Sequence, residues 1–165
     1  MSVSEGGKSY GIDQFLHSDF ADSCSSEVRA DYPSWSPDGH EIAFFASTAS
    51  VGLGGFARLD APWDIYVMDA ETLRPERVLT GVLYAGDLQW SPDGTRLAFI
   101  GQFDDRPGMW LLDRKSKHLD LVVGGHPTGL AWSPDDRIIL TAWESGPVRA
   151  LKDSIVELNV ESLVR

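Results

Sequence analysis

The pentapeptide Trp35-Ser36-Pro37-Asp38-Gly39 decides the fold of this 165-residue chain, because it recurs. It returns as Trp90-Ser91-Pro92-Asp93-Gly94 and, with glycine replaced, as Trp132-Ser133-Pro134-Asp135-Asp136. Self-similarity of this kind indicates a repeat architecture. The tryptophans are 55 and 42 residues apart. The shorter spacing matches the roughly 40 to 45 residues of a repeat built from four strands, and the longer one leaves about 13 residues for an insertion.

Segments of strand length, rich in β-branched and aromatic residues, flank every copy of the motif. First strands precede it at 32–35, 87–90 and 129–132, and second strands follow at 41–45, 96–100 and 137–141. Third strands come at 63–69, 108–113 and 154–159, and fourth strands at 76–80 and 118–123. The pattern predicts an all-β chain of three four-stranded antiparallel blades, with boundaries at about 31–81, 84–124 and 127–160.

Each position of the motif has a physical role in a tight turn. The prolines pre-set the first central position, the aspartates bond back to the local backbone, and the glycines accept a positive φ. Asp136 tolerates the glycine position of the third copy at the cost of slight strain. We therefore interpret Asp38, Asp93 and Asp135 as turn formers rather than metal ligands or catalytic acids. The large tryptophans are predicted to pack between neighbouring sheets in the core.

The motif, the Ile-Ala-Phe or Leu-Ala-Phe that follows it, and the segment Asp64-Ile65-Tyr66-Val67-Met68-Asp69-Ala70 resemble the WD-like repeats of TolB-type β-propellers. The likeness covers about 31–159. It implies blades of a ring that has six blades in that family and whose faces bind peptides or protein partners. Similar blades also form gating propellers ahead of prolyl-oligopeptidase-like hydrolases. Three blades are half of a six-bladed propeller.

Closing a ring takes 4 to 8 blades, so three blades are expected to leave two broad apolar faces exposed. One hypothesis is a homodimer in which two chains complete a six-bladed ring. Residues 1–30 would then be an N-terminal segment whose strand at 11–15 closes the partner's blade. The alternative is that the chain is a fragment of a longer propeller.

The sequence contains none of the motifs that would indicate an enzyme. It lacks the G-x-S-x-G elbow of serine hydrolases, its four histidines show no paired spacing, and its glycine-rich stretch at 52–55 lacks the lysine of a phosphate-binding loop. We predict a non-catalytic protein without cofactor or metal. Two alternatives stay open: an accessory or remnant propeller of a hydrolase, and a channel-site metal-dependent hydrolase whose ligands come from separate blades.

Two loops are the candidates for partner binding, because loops on a rigid scaffold are where recognition residues concentrate. The insertion at 48–62 offers Phe56, Arg58 and Asp60. The corresponding loop of the second blade offers Asp104, Asp105 and Arg106, and is expected to project from the same face. Its adjacent carboxylates suit calcium or a basic group, although a hydrated acidic turn is the alternative. The predicted partner is a protein or peptide.

With 25 acidic and 14 basic residues, the chain has a formal net charge of −11. This charge disfavours nucleic acid and anionic membranes as partners, because both bind through lysine and arginine. The single cysteine, Cys24, has no partner for an internal disulfide. No transmembrane or signal segment is evident, which predicts a cytoplasmic protein, or a periplasmic or secreted one if a leader was removed.

Overall fold

A computed structural model describes residues 26–50, 61–135, 137–143 and 153–159. These residues form ten β-strands and contain no helix. The strands are β1 (Ser26–Trp35), β2 (Glu41–Ser50), β3 (Trp63–Asp69), β4 (Pro75–Trp90), β5 (Arg96–Phe103), β6 (Arg106–Asp113), β7 (Leu119–Gly124), β8 (Pro127–Trp132), β9 (Arg137–Trp143) and β10 (Asp153–Asn159).

The strands form a seven-stranded sheet, β1 to β7, and a three-stranded sheet, β8 to β10, and within each sheet consecutive strands pair antiparallel. The long strand β4 belongs to two blades: its beginning, up to Val82, pairs with β3, and from Leu83 onward it pairs with β5. The first blade is therefore β1, β2, β3 and the start of β4. The second blade is the rest of β4 with β5, β6 and β7, so both have the predicted four strands. The third blade shows β8, β9 and β10 within the described residues.

The first strands of the three blades lie side by side, since β1 contacts β4 and β4 contacts β8. Hydrogen bonds link them directly. The Trp90 N–H donates to Ser34 Oγ at 3.3 Å, the Leu130 N–H donates to Asp87 at 2.9 Å, and Gln89 Nε2 donates to the Leu130 carbonyl at 2.7 Å. Sheets that meet along their first strands are arranged radially. The chain is an all-β partial β-propeller.

The core lies between the blades, because successive side chains of a strand point to opposite faces. In β5, Leu97 and Phe99 pack toward the first blade, whereas Ala98 and Ile100 pack toward the third. The cluster between the first two blades includes Ala43, Phe45, Ile65, Val67, Leu88, Trp90, Trp110 and Leu112. The cluster between the second and third blades includes Met109, Leu111, Leu130 and Ile138. Each interface is a layer of buried apolar side chains between two sheets.

The three motif tryptophans differ in how far they are buried. Trp90 is 6% exposed in the layer shared with the first blade, and Trp132 packs half-buried against the second blade. Trp35, also predicted to lie in the core, is 59% exposed, so that prediction was wrong. The reason is geometric: the motif tryptophan packs on the preceding blade, and none precedes the first among the described residues.

The face of the first blade that points away from the second is buried at its centre. Phe44 and Tyr66 stack with ring centroids 5.8 Å apart and are 2% and 1% exposed, with Ala46 and Met68 also buried. The expectation that this face is broadly exposed is therefore wrong, and its exposed part is the Trp35 edge. Side chains on the outer face of the third blade lie largely outside the described residues.

Candidate functional site

The strand ends create two opposite faces, because alternate connections of an antiparallel meander lie at opposite edges. The motif turns and the turns after β3 and β6 share one edge, which we call the turn face. The β5–β6 hairpin, the middle of β4 and the β7–β8 connection share the other edge, which we call the loop face.

The motif turns are held by a serine and an aspartate acting together. In the second copy the Ser91 hydroxyl donates to Asp93 at 2.6 Å and accepts from the Arg96 N–H at 2.9 Å. Asp93 also accepts from the Thr95 N–H at 2.9 Å, and Gly94 adopts φ 72°. The first copy repeats these contacts through Ser36, Asp38 and Glu41, with Gly39 at φ 75°. The aspartate and glycine roles predicted from the sequence are confirmed for these two copies.

The third motif turn keeps the same pair in a loop one residue shorter. Ser133 donates to Asp135 at 2.5 Å and accepts from the Arg137 N–H at 3.0 Å, four positions away instead of five. Asp136, predicted to be slightly strained, lies outside the described residues. The serine had no assigned role in the sequence analysis, although its presence in all three copies was the available signal.

A second repeated turn follows the third strand of the first two blades. One Asp69 oxygen accepts from the N–H groups of Glu71 and Thr72 and from the Thr72 hydroxyl. Asp113 does the same with Lys115 and Ser116. The shared Asp-x-x-Thr/Ser spacing was visible in the sequence, and side chains of this type are known to cap turns by bonding nearby backbone.

These contacts favour the ionised form of the turn-face carboxylates. A hydrogen bond within the turn is the main cause that lowers the pKa of four of these aspartates. The donor is Ser36 for Asp38 and Ser133 for Asp135 in the motif turns. In the turns after β3 and β6, the donor is Thr72 for Asp69 and Ser116 for Asp113. For Asp93 the largest single influence is burial, which raises the pKa. The hydrogen bonds from Ser91 and Thr95 together outweigh burial, so the net effect is a lowered pKa. A general acid needs the opposite shift, so these aspartates suit turn formation.

An ion-pair network on the turn face joins the first two blades. Arg114, whose side chain is 18% exposed, lies 3.2 Å from Glu41 and 3.0 Å from Glu76. Lys117 lies 2.9 Å from Glu76. The hydrogen bond from Lys117, followed by that from Arg114, lowers the pKa of Glu76. The network holds the blades together and leaves Arg114 engaged with protein carboxylates.

Half of the residues predicted to bind a partner can be placed. Phe56, Arg58 and Asp60 lie outside the described residues. Asp104 and Asp105 form a two-residue turn between the paired residues Phe103 and Arg106, with φ of 50° and 58°. Positive φ at both central positions is typical of a type I′ hairpin, so this connection is tight rather than extended. It lies on the loop face; whether it shares that face with the insertion at 48–62 stays a prediction, because residues 51–60 lie outside the described residues.

Within this hairpin, Arg106 is already engaged. It lies 3.6 Å from Asp104, and its guanidinium sits 5.2 Å from the centre of the Trp110 ring. Asp105 is exposed and forms no ion pair with any residue that the structure describes. The tip of the hairpin therefore presents the Asp105 carboxylate, whose charge is not balanced by an ion pair with any described residue.

A cleft of about 310 Å³ opens on the loop face between the second and third blades. Its walls come from β4, the adjoining ends of β5 and β6, and the β7–β8 connection. The side chains that line it belong to Tyr84, Ile100, Gln102, Pro107, His126 and Pro127, and three glycines complete the surface. No local signal in the sequence indicates this cleft, because its residues come from four separate segments.

Two of these glycines are required by packing. A Cβ at Gly101 would lie 2.5 Å from Val82 Cγ1, and one at Gly108 would lie 2.2 Å from the Val123 carbonyl oxygen. The Gly125 N–H donates to the Pro107 carbonyl at 3.0 Å and ties the β7–β8 connection to β6. The backbone of these glycines therefore forms part of the cleft surface.

The part of the chain that the structure covers contains no group of three or more His, Cys, Asp or Glu side chains arranged to hold a metal ion. In the same described residues there is no helix long and apolar enough to span a bilayer.

No family model matches the chain, and no curated protein matches it in sequence. Solved structures do match. A TolB from Agrobacterium tumefaciens aligns with a TM-score of 0.59 at 17% identity, covering 81% of this chain and 46% of that one. The β-propeller domain of the Trilobed protease from Pyrococcus furiosus, reported to have an open velcro topology, aligns with a TM-score of 0.54 at 22% identity, covering 78% and 39%.

An acylaminoacyl peptidase from Pyrococcus horikoshii also aligns, with a TM-score of 0.57 at 15% identity, covering 74% of this chain and 19% of that one. The chain therefore spans less than half the length of each of these proteins. The matches establish a fold similar to the propeller domains of TolB proteins and peptidases, and at these identities they establish the fold alone.

Proposed function

We propose that this chain is a non-catalytic propeller scaffold that binds a protein or peptide, and that two copies associate to complete a six-bladed ring. The observation that carries the proposal is the exposure of Trp35. Its two equivalents, Trp90 and Trp132, both pack against a neighbouring blade, whereas Trp35 is 59% exposed. A large aromatic side chain at an interface position favours association, because burying it removes apolar surface from water.

The distribution of polar groups supports binding rather than catalysis. The turn-face aspartates have lowered pKa values and are occupied by hydrogen bonds within their own turns. The loop face, by contrast, offers an open cleft and the carboxylate of Asp105, which has no ion pair among the described residues. A rigid framework with available groups on one face is the usual arrangement of a recognition domain.

The buried centre of the first blade limits how two copies would meet. Because Phe44 and Tyr66 are already enclosed, we place the contact between copies at the Trp35 edge rather than over the whole face. Three blades from each chain give the six of a closed ring, and a two-fold axis along the channel relates the copies.

Light scattering on a size-exclusion column, at several concentrations, tests the assembly. A mass near twice 18.1 kDa is expected. A well-folded chain that stays at 18.1 kDa across the concentration range would contradict the dimer and favour a fragment of a longer propeller.

A second candidate is the accessory propeller of a prolyl-oligopeptidase-like hydrolase. The structural similarity to acylaminoacyl peptidase and to the Trilobed protease propeller favours it. Sequencing the gene and its surroundings distinguishes the two. A continuous reading frame into an α/β-hydrolase segment with a G-x-S-x-G elbow would support the hydrolase, and its absence would support the scaffold.

A further inference from the structure

The cleft between the second and third blades combines an apolar surface with free polar groups. Tyr84 is 70% exposed at its rim and has φ 50°, a conformation that a tyrosine rarely adopts. Pro107 and Pro127 add two further rings, and Ile100 adds a buried side chain. Rings of this kind contact flat apolar groups over a large area.

The polar groups at the cleft have no partners in the described structure. The side chains of Gln102 and His126 line the cleft and make no hydrogen bond with any described residue. An amide and an imidazole offer both donors and acceptors, which is what a peptide backbone requires. The volume of about 310 Å³ lies at the lower end of ligand pockets, so it suits one or two side chains of a longer segment.

The electrostatic environment selects among peptides. The Asp104–Asp105 turn lies between two residues that line the cleft. One residue, Phe103, separates it from Gln102, and one residue, Arg106, separates it from Pro107. Arg106 compensates Asp104, and Asp105 has no described ion pair. The whole chain carries a formal net charge of −11, so a basic ligand is attracted both locally and at long range.

We propose that this cleft binds a peptide segment in which a proline or aromatic side chain stands next to lysine or arginine. The ring would pack against Tyr84 and the two prolines, the backbone would pair with Gln102 and His126, and the basic group would face Asp105. This inference rests on the proposed binding role and names the ligand class for it.

The test begins with selection of random heptapeptides displayed on phage against the full 165-residue chain. We expect recovered peptides to be enriched in proline or an aromatic residue adjacent to lysine or arginine. A recovered peptide, labelled with fluorescein, is then titrated with the chain and followed by fluorescence anisotropy.

Tyr84→Gly is expected to raise Kd about tenfold or more, because it removes the ring from the rim. Tyr32→Gly is the matched control: Tyr32 is 46% exposed at φ 54°, but lies on the first blade outside the cleft. It should change Kd less than about twofold. Tyr84→Asn provides a second variant that tolerates the same backbone conformation, and thermal melts of each variant verify folding.

The basic group is tested by a double-mutant cycle. Asp105→Asn should weaken the lysine-containing peptide by about two- to fivefold. It should leave a peptide with norleucine in place of lysine unchanged. An equal effect on both peptides would contradict the ionic contact.

The outcomes separate the two proposals. Peptides that bind the wild type and Tyr84→Gly equally would overturn this cleft as the site while leaving a binding role intact. Failure to recover any specific peptide would overturn the peptide ligand and count against the peptide-binding part of the proposed function, whereas the mass measurement would still decide the assembly.

Discussion

Ser91 is almost completely enclosed, at 1% exposure, and its hydroxyl donates to Asp93 and accepts from the Arg96 N–H. Ser91→Ala leaves that partly buried N–H without its partner, so we expect a loss of about 1 to 2 kcal/mol in unfolding free energy. The same change at Ser133, whose turn is more exposed, should cost less because water can replace the hydroxyl. Urea denaturation of both variants measures the difference, and equal losses would contradict the role assigned to burial.

Asp93 also gives the protein an acid-sensitive contact. Its folded-state pKa lies below the ordinary 3.8, so its contribution to stability is present above pH 3.8 and is lost as the pH falls through the lower folded value. Asp93→Asn removes this titration. We expect thermal melts between pH 6 and pH 2.5 to show a shallower decline for the variant, and parallel curves would refute the assignment.

Between elements, the turn after β6 connects to the first blade through Arg114, which lies 3.2 Å from Glu41 and 3.0 Å from Glu76. Because both glutamates are partly exposed, Arg114→Met should cost only about 0.5 to 1.5 kcal/mol. The stability of the variant should also depend less on salt, since 1 M NaCl screens the wild-type network. Lys115→Met is the control, because Lys115 lies beside Arg114 and makes no ion pair with a described residue. Thermal melts at low and high salt compare them, and a Lys115 effect as large as that of Arg114 would contradict the bridge.

The proposed assembly depends on Trp35, the exposed tryptophan of the first motif copy. If the proposed ring closes at the Trp35 edge, Trp35→Ser should weaken the dimer about tenfold or more, because Trp35 is 59% exposed and its apolar surface is available for burial. The variant's own melting temperature at low concentration should stay close to the wild type. Analytical ultracentrifugation measures the dimer, with Tyr84→Gly as a control that removes an exposed aromatic from the loop face. A wild-type dimer unaffected by Trp35→Ser would place the contact elsewhere.

Much of the fold could be predicted because its signals are local. The strand at 63–69, for example, coincides with β3, and Gly39 and Gly94 adopt the positive φ that their turns require. The binding surface was less accessible to such reasoning. The sequence predicted a loop over 102–107, whereas Phe103 and Arg106 are paired strand residues and only Asp104 and Asp105 form the turn, both with positive φ.

The sequence by itself determined the repeat, the strand order and the turn chemistry, since these depend on residues close together in the chain. Only the tertiary structure decided that Trp90 is buried and Trp35 exposed, because burial depends on which blade lies alongside. It also decided that Tyr84, Gln102 and His126 meet at one cleft. Those residues belong to different strands and connections, and radial packing of the second and third blades is what brings them together.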